Sequence, residues 1–102
     1  MRTVIVRYKL KPGRTEENEA LVRAVYEELA EAQPNGLRYA TVREDDGLSF
    51  VHMAQMEDGT NPLTEVAAFQ RFSENVRERC DEPPVVTDVK VVGSFKLFED
   101  RP

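Results

Sequence analysis

From Thr3 to Lys11 the chain alternates, with Val4, Val6, Tyr8 and Leu10 on one side, Thr3, Arg7, Lys9 and Lys11 on the other, and Ile5 the single exception. That period of two predicts a half-buried strand. Pro12-Gly13 ends it, Thr15 offers an N-cap, and Glu16 and Glu17 fall where a helix dipole favours negative charge. Leu21, Ala24, Val25, Leu29 and Ala32 then recur at spacings of three and four, which predicts a helix to about Gln33, stopped by Pro34-Asn35-Gly36. Leu37 to Glu44 and Leu48 to Met56 are strand-like, and the Asp45-Asp46-Gly47 connection between them predicts a tight hairpin. Asn61-Pro62 supplies an N-cap followed by proline at the first helical position, opening a second helix to about Cys80. Its stripe is Val66, Phe69, Ser73, Val76 and Cys80, flanked by Phe72, with Pro83-Pro84 barring continuation. A long last strand, Val85 to Phe98, presents Val85, Val89, Val91, Phe95 and Leu97 on one face.

The order strand, helix, strand, strand, helix, strand predicts an α+β, ferredoxin-like βαββαβ domain. Two interleaved β-α-β units place both helices on one face of a four-stranded antiparallel sheet. The third strand is apolar on both faces, with Leu48, Phe50, Ala54 and Met56 on one and Val51 and Met53 on the other. Val86, Val92 and Phe98 repeat this on the second face of the last strand. A sheet covered by helices on one side only has no reason to bury its other side. A partner sheet packed there, in a homodimer, accounts for both.

Composition narrows the class without reaching the chemistry. At 102 residues the chain is one domain, 1–102, and 40% hydrophobic against 32% charged residues is a globular balance. Fourteen Lys and Arg against nineteen Asp and Glu give a net charge of −5, which argues against nucleic acid as a partner. No uncharged stretch approaches the roughly 18 apolar residues of a membrane span, and Met1-Arg2-Thr3 leads into a strand-like run instead of a signal peptide. The expected location is therefore cytoplasmic. One cysteine, Cys80, and one histidine, His52, supply neither an internal disulfide nor a metal-ligand cluster.

With these elements in place, the chain resembles the antibiotic biosynthesis monooxygenase-like proteins of the dimeric α/β-barrel superfamily. The resemblance lies in the order of elements, in Thr3-Val4-Ile5-Val6 followed by Lys11-Pro12-Gly13-Arg14, and in the strand Phe50 to Met56 before the second helix. It implies a homodimer whose two sheets face each other in a barrel, with a small-molecule pocket in each subunit between sheet and helices. Some members oxygenate phenolic or quinol compounds without a cofactor, others degrade haem, and many have no assigned activity. Members typically carry a tryptophan at the end of the third strand, where this chain has Met56. Haem degraders use a histidine on the second helix, where this chain has none. The resemblance thus implies cofactor-free oxygenation of a small aromatic or quinone-type compound; the alternative is a non-catalytic homodimeric domain that binds a small molecule or is structural.

His52 has the ordinary pKa best suited to proton transfer near neutrality, so it is the candidate base. By parity it shares a face with Phe50, Ala54 and Met56, and alignment with the family's pocket-lining position assigns that face to the helices. A base there would deprotonate a phenol to an anion able to meet oxygen directly. The competing reading is a structural histidine bonded to a backbone carbonyl. Tyr8, facing the same way as Val4 and Val6, joins it as a catalytic candidate whose phenol needs a partner when buried, either a ligand or His52. Tyr39, Arg43, Phe50, Met56, Phe69 and Phe72 are the candidate substrate contacts. Arg43 would bind a carboxylate or phenolate, although its strand has two similar faces and reads as an edge with a solvated charge. Phe69 and Phe72 serve either as aromatic walls or as core.

Overall fold

The computed structural model describes residues 1–98. The elements are β1 (Arg2–Leu10), α1 (Thr15–Ala32), β2 (Leu37–Arg43), β3 (Ser49–Met56), a 3-10 turn (Pro62–Glu65), α2 (Ala67–Glu74), α3 (Val76–Arg79) and β4 (Cys80–Val89). The sheet order is β2-β3-β1-β4 with every neighbouring pair antiparallel, the ferredoxin-like α+β arrangement. Alternation along β1 buries Tyr8 and Leu10 under the helices in one cluster with Val22 and Val25 of α1 and Phe72 and Val76, and Val4 in a smaller one with Ala54 and Met56 of β3. The β2–β3 turn is held by Asp46, whose carboxylate accepts from the Leu48 and Ser49 amides and from the Ser49 hydroxyl. Gly47 at φ +74 takes the left-handed conformation that this turn requires.

The second helix departs from the single element expected between Pro62 and Cys80. Asn61 caps only the 3-10 turn, accepting from the Leu63 amide, and Val66 is extended. The chain then restarts as α2, whose first amides, Ala67 and Ala68, donate to the Glu28 carboxylate of α1 at 3.1 and 2.9 Å. Asn75 breaks it again. Val66, Phe72, Val76 and Cys80 stay buried throughout, so their spacing is the same for one helix or three pieces.

Cys80 is the first residue of β4, paired with Leu10, rather than the last of a helix. Pro83 and Pro84 lie inside that strand because β4 is an edge, where a missing N–H costs nothing, and the register shifts beside them. The pairing reverses the parity expected for the valines. Val86 pairs with Val6 and lies on the helix face, whereas Val85 pairs with Arg7 and faces away. The strand expected to reach Phe98 stops at Val89, opposite Thr3, one residue from the start of β1 at Arg2, so the segment Val91 to Phe98 has no β1 residue opposite it. Val91, Val92, Phe95, Leu97 and Phe98 are consequently exposed. On the sheet face away from the helices, Ile5, Ala40, Val42, Val51 and Met53 are only half-buried.

Candidate functional site

Between the sheet and α2 and α3 lies a cavity of about 280 Å³. Parity along the strands determines its floor. Val4, Val6 and Tyr8 of β1, Tyr39 of β2, and His52, Ala54 and Met56 of β3 point into it, and Leu63, Phe69, Phe72 and Val76 form the opposite wall. Its rim passes Pro84 and Val86, where edge strand β4 leaves the helix face uncovered. Most of the lining is apolar; Arg2, Asn61 and Ser73 also line it, and the hydroxyls of Tyr8 and Tyr39 converge on the His52 ring.

His52 is 4% exposed and bonded through both nitrogens. Nε2 lies 2.8 Å from Tyr8 Oη; Nδ1 lies 2.7 Å from Tyr39 Oη and 3.1 Å from Thr41 Oγ1. Thr41 Oγ1 in turn lies 2.7 Å from Tyr26 Oη. On the other side, Asn18 Nδ2 donates to Tyr8 Oη at 2.8 Å, and Arg79 Nε donates to Asn18 Oδ1 at 3.0 Å. Arg79 is 1% exposed; its guanidinium also donates to the Phe72 carbonyl and lies over the Phe72 ring. Tyr8 stacks flat on Phe50 at 5.6 Å between centroids, which fixes the phenol's aim.

Burial dominates the electrostatics. Out of water the charged forms of His52, Tyr8 and Tyr39 are disfavoured, so the imidazole is pulled from its ordinary 6.5 down to about 4 and both phenols are pushed up. His52 is therefore neutral at physiological pH, with its lone pair already engaged. The sequence expectation of a base titrating near neutrality rested on the unperturbed imidazole. Burial also lowers the Arg79 guanidinium, opposed by the attraction of Glu17, yet an arginine stays charged after such a shift.

The structure brings together six of the eight residues singled out by sequence: Tyr8, Tyr39, His52, Met56, Phe69 and Phe72 all line the cavity. Phe50 does not; it is packed behind Tyr8 in the core, 2% exposed. Arg43 does not either. At the end of outer strand β2 it is drawn to Glu19 of α1 in an exposed ion pair. Asn18, Thr41, Tyr26 and Arg79 escaped the sequence reading. Asn18 lies four and seven residues before Val22 and Val25 on the buried stripe of α1, a spacing that carries the signal. Arg79 carries none, since its burial follows from the break at Asn75. Among the described residues no group of three or more His, Cys, Asp or Glu is placed to hold a metal ion, and no helix is long and apolar enough to cross a membrane.

The family model described as antibiotic biosynthesis monooxygenase matches residues 1–75. No curated protein matches the chain. Among solved structures, a candidate antibiotic biosynthesis monooxygenase from Nitrosomonas europaea superposes with a TM-score of 0.73 at 19% identity, over 91% of this chain and 100% of that one. SnoaB, a cofactor-independent oxygenase from Streptomyces nogalater, gives 0.64 at 20% identity, over 91% and 94%. Rv0793 from Mycobacterium tuberculosis gives 0.66 at 19% identity, over 91% and 96%. At these identities the structures share the fold; the sequence match over residues 1–75 shows that the chain belongs to the antibiotic biosynthesis monooxygenase family.

Proposed function

We propose that the protein is a homodimeric, cofactor-free, monooxygenase-like enzyme acting on a small aromatic or quinone-type compound held between sheet and helices. The observation that carries this is the cavity, apolar on most sides with hydroxyl and imidazole groups gathered at one place on its floor. Its volume of about 280 Å³ lies just below the range of about 300–1,000 Å³ typical of ligand pockets and suits a ligand of one or two rings. Phe69, Phe72 and Met56 would flank the rings, while Tyr39, held by His52 and through it by Tyr8, would meet the ligand's oxygen. SnoaB, with the same fold, is a cofactor-independent oxygenase, which supports the chemistry without identifying the substrate.

The reaction balances without another reductant. An electron-rich phenol gives up a ring C–H, one atom of dioxygen enters there as a second carbonyl, and the other leaves as water with the ring and hydroxyl hydrogens. A dry cavity raises the reactivity of the anion by withholding hydrogen bonds from water.

Oxygen uptake with a panel of phenols and quinols, on wild type and His52→Ala together, tests the proposal. Uptake that the variant loses supports it, and no uptake with any member overturns it. The engaged, neutral His52 also fits a second reading, a domain that binds such a molecule without transforming it. Binding of panel members without oxygen uptake would select that reading.

A further inference from the structure

The hydrogen bonds around His52 form a chain whose direction is determined at its buried end. Among the described residues Arg79 pairs with no carboxylate, and a guanidinium can only donate. Its bond to Asn18 therefore settles which way the amide points: Oδ1 toward Arg79, Nδ2 toward Tyr8. Tyr8 accepts there and still has its own proton to place. At 2% exposure its remaining partner is His52 Nε2, so the phenol donates and Nε2 accepts. A neutral imidazole accepting at Nε2 carries its proton on Nδ1, which then donates to Tyr39 Oη and Thr41 Oγ1. The opposite tautomer would leave the Tyr8 proton without an acceptor inside the core. This one leaves the proton of Tyr39, which is half-buried and lines the cavity.

We infer that Arg79 and Asn18 are positioning residues that set the direction of this chain, so that Tyr39 presents its hydroxyl proton to the cavity and the site takes its ligand's oxygen as an acceptor, a phenolate or quinone carbonyl, in preference to a neutral phenol. Each member donates to the next, from a fixed positive charge outward, and such chains polarise cooperatively. The inference rests on the aromatic-ligand proposal for the ligand only; the chain stands on its own geometry.

Because His52 is the only histidine, nitrogen NMR of its ring reports the tautomer directly in the full chain. Wild type should show the proton on Nδ1. In Asn18→Asp the carboxylate accepts from both Arg79 and Tyr8, so Tyr8 turns around, Nε2 must donate, and the proton should move to Nε2. A wild-type proton on Nε2, or a folded Asn18→Asp with an unmoved tautomer, would overturn the chain. Titration with para-nitrophenol above and below the probe's own pKa tests the ligand class. The preference of wild type for the anion over the neutral form should exceed that of Tyr39→Phe by roughly tenfold or more, the effect of one hydrogen bond to a charged oxygen. Equal preferences would overturn the acceptor role. Binding of neither form would overturn the ligand class and the proposed function with it, whereas a wrong tautomer alone leaves that function standing.

Discussion

Burial turns His52 from a titrating group into a neutral one, and stability inherits the difference. Its pKa is lowered from 6.5 in the unfolded chain to about 4 in the folded one, so between those values the unfolded state binds more protons. The contribution is therefore complete above pH 6.5, declines as pH falls toward 4, and is then lost, amounting to about 3 kcal/mol. Urea unfolding at pH 7 and pH 4 should show this component in wild type and lose it in His52→Ala. That variant should also lose about 1–3 kcal/mol at pH 7, because it vacates a buried site and leaves Tyr8 Oη short of an acceptor. At this scale the alternation of β1 and β3 made Tyr8, His52 and Met56 legible in the sequence. Asn18 showed only in its spacing to Val22 and Val25 on the α1 stripe, and Arg79 did not show at all, since its burial follows from the break at Asn75 and the partners that satisfy it.

The pieces of the second helical region are tied to the first helix. Glu28 holds the first two amides of α2 from across the helix pair, where neither N-cap Val66 nor any side chain of α2 itself supplies an acceptor. Glu28→Ala should therefore cost about 1 kcal/mol, the loss typical of a helix cap, and Glu28→Gln should recover part of it. Thermal unfolding of the three proteins checks the order. The sequence could not show this arrangement, because Glu28 belongs to another element and the stripe Val66, Phe69, Ser73 and Val76 has the same spacing with or without the breaks. The end of β4 escaped for a related reason. A strand extends about as far as its partner does, and Val89 pairs with Thr3, one residue from the start of β1. The hairpin, by contrast, was legible because Asp46 and Gly47 determine it locally.

At the scale of the whole molecule, the sheet face carrying Ile5, Ala40, Val42, Val51 and Met53 opposes the helices and lies only half-buried. The dimer proposed above packs two such faces together, with exposed Val85 beside them on β4. Light scattering should give about twice the 11.7 kDa chain mass. Met53→Asp would bury an unpaired charge in that interface, at a cost of several kcal/mol, and should return the chain mass. An unchanged mass in Met53→Asp would move the interface elsewhere.

In the function proposed above, the cavity directs one atom of dioxygen into an aromatic ligand with no cofactor. Turnover of a phenolic substrate under dioxygen labelled with heavy oxygen, by protein dialysed against chelator, measures this directly. The product should carry one labelled atom and form at a rate that chelation leaves unchanged. An unlabelled product, or turnover that appears only when a metal or redox cofactor is supplied, would rule out cofactor-free oxygenation.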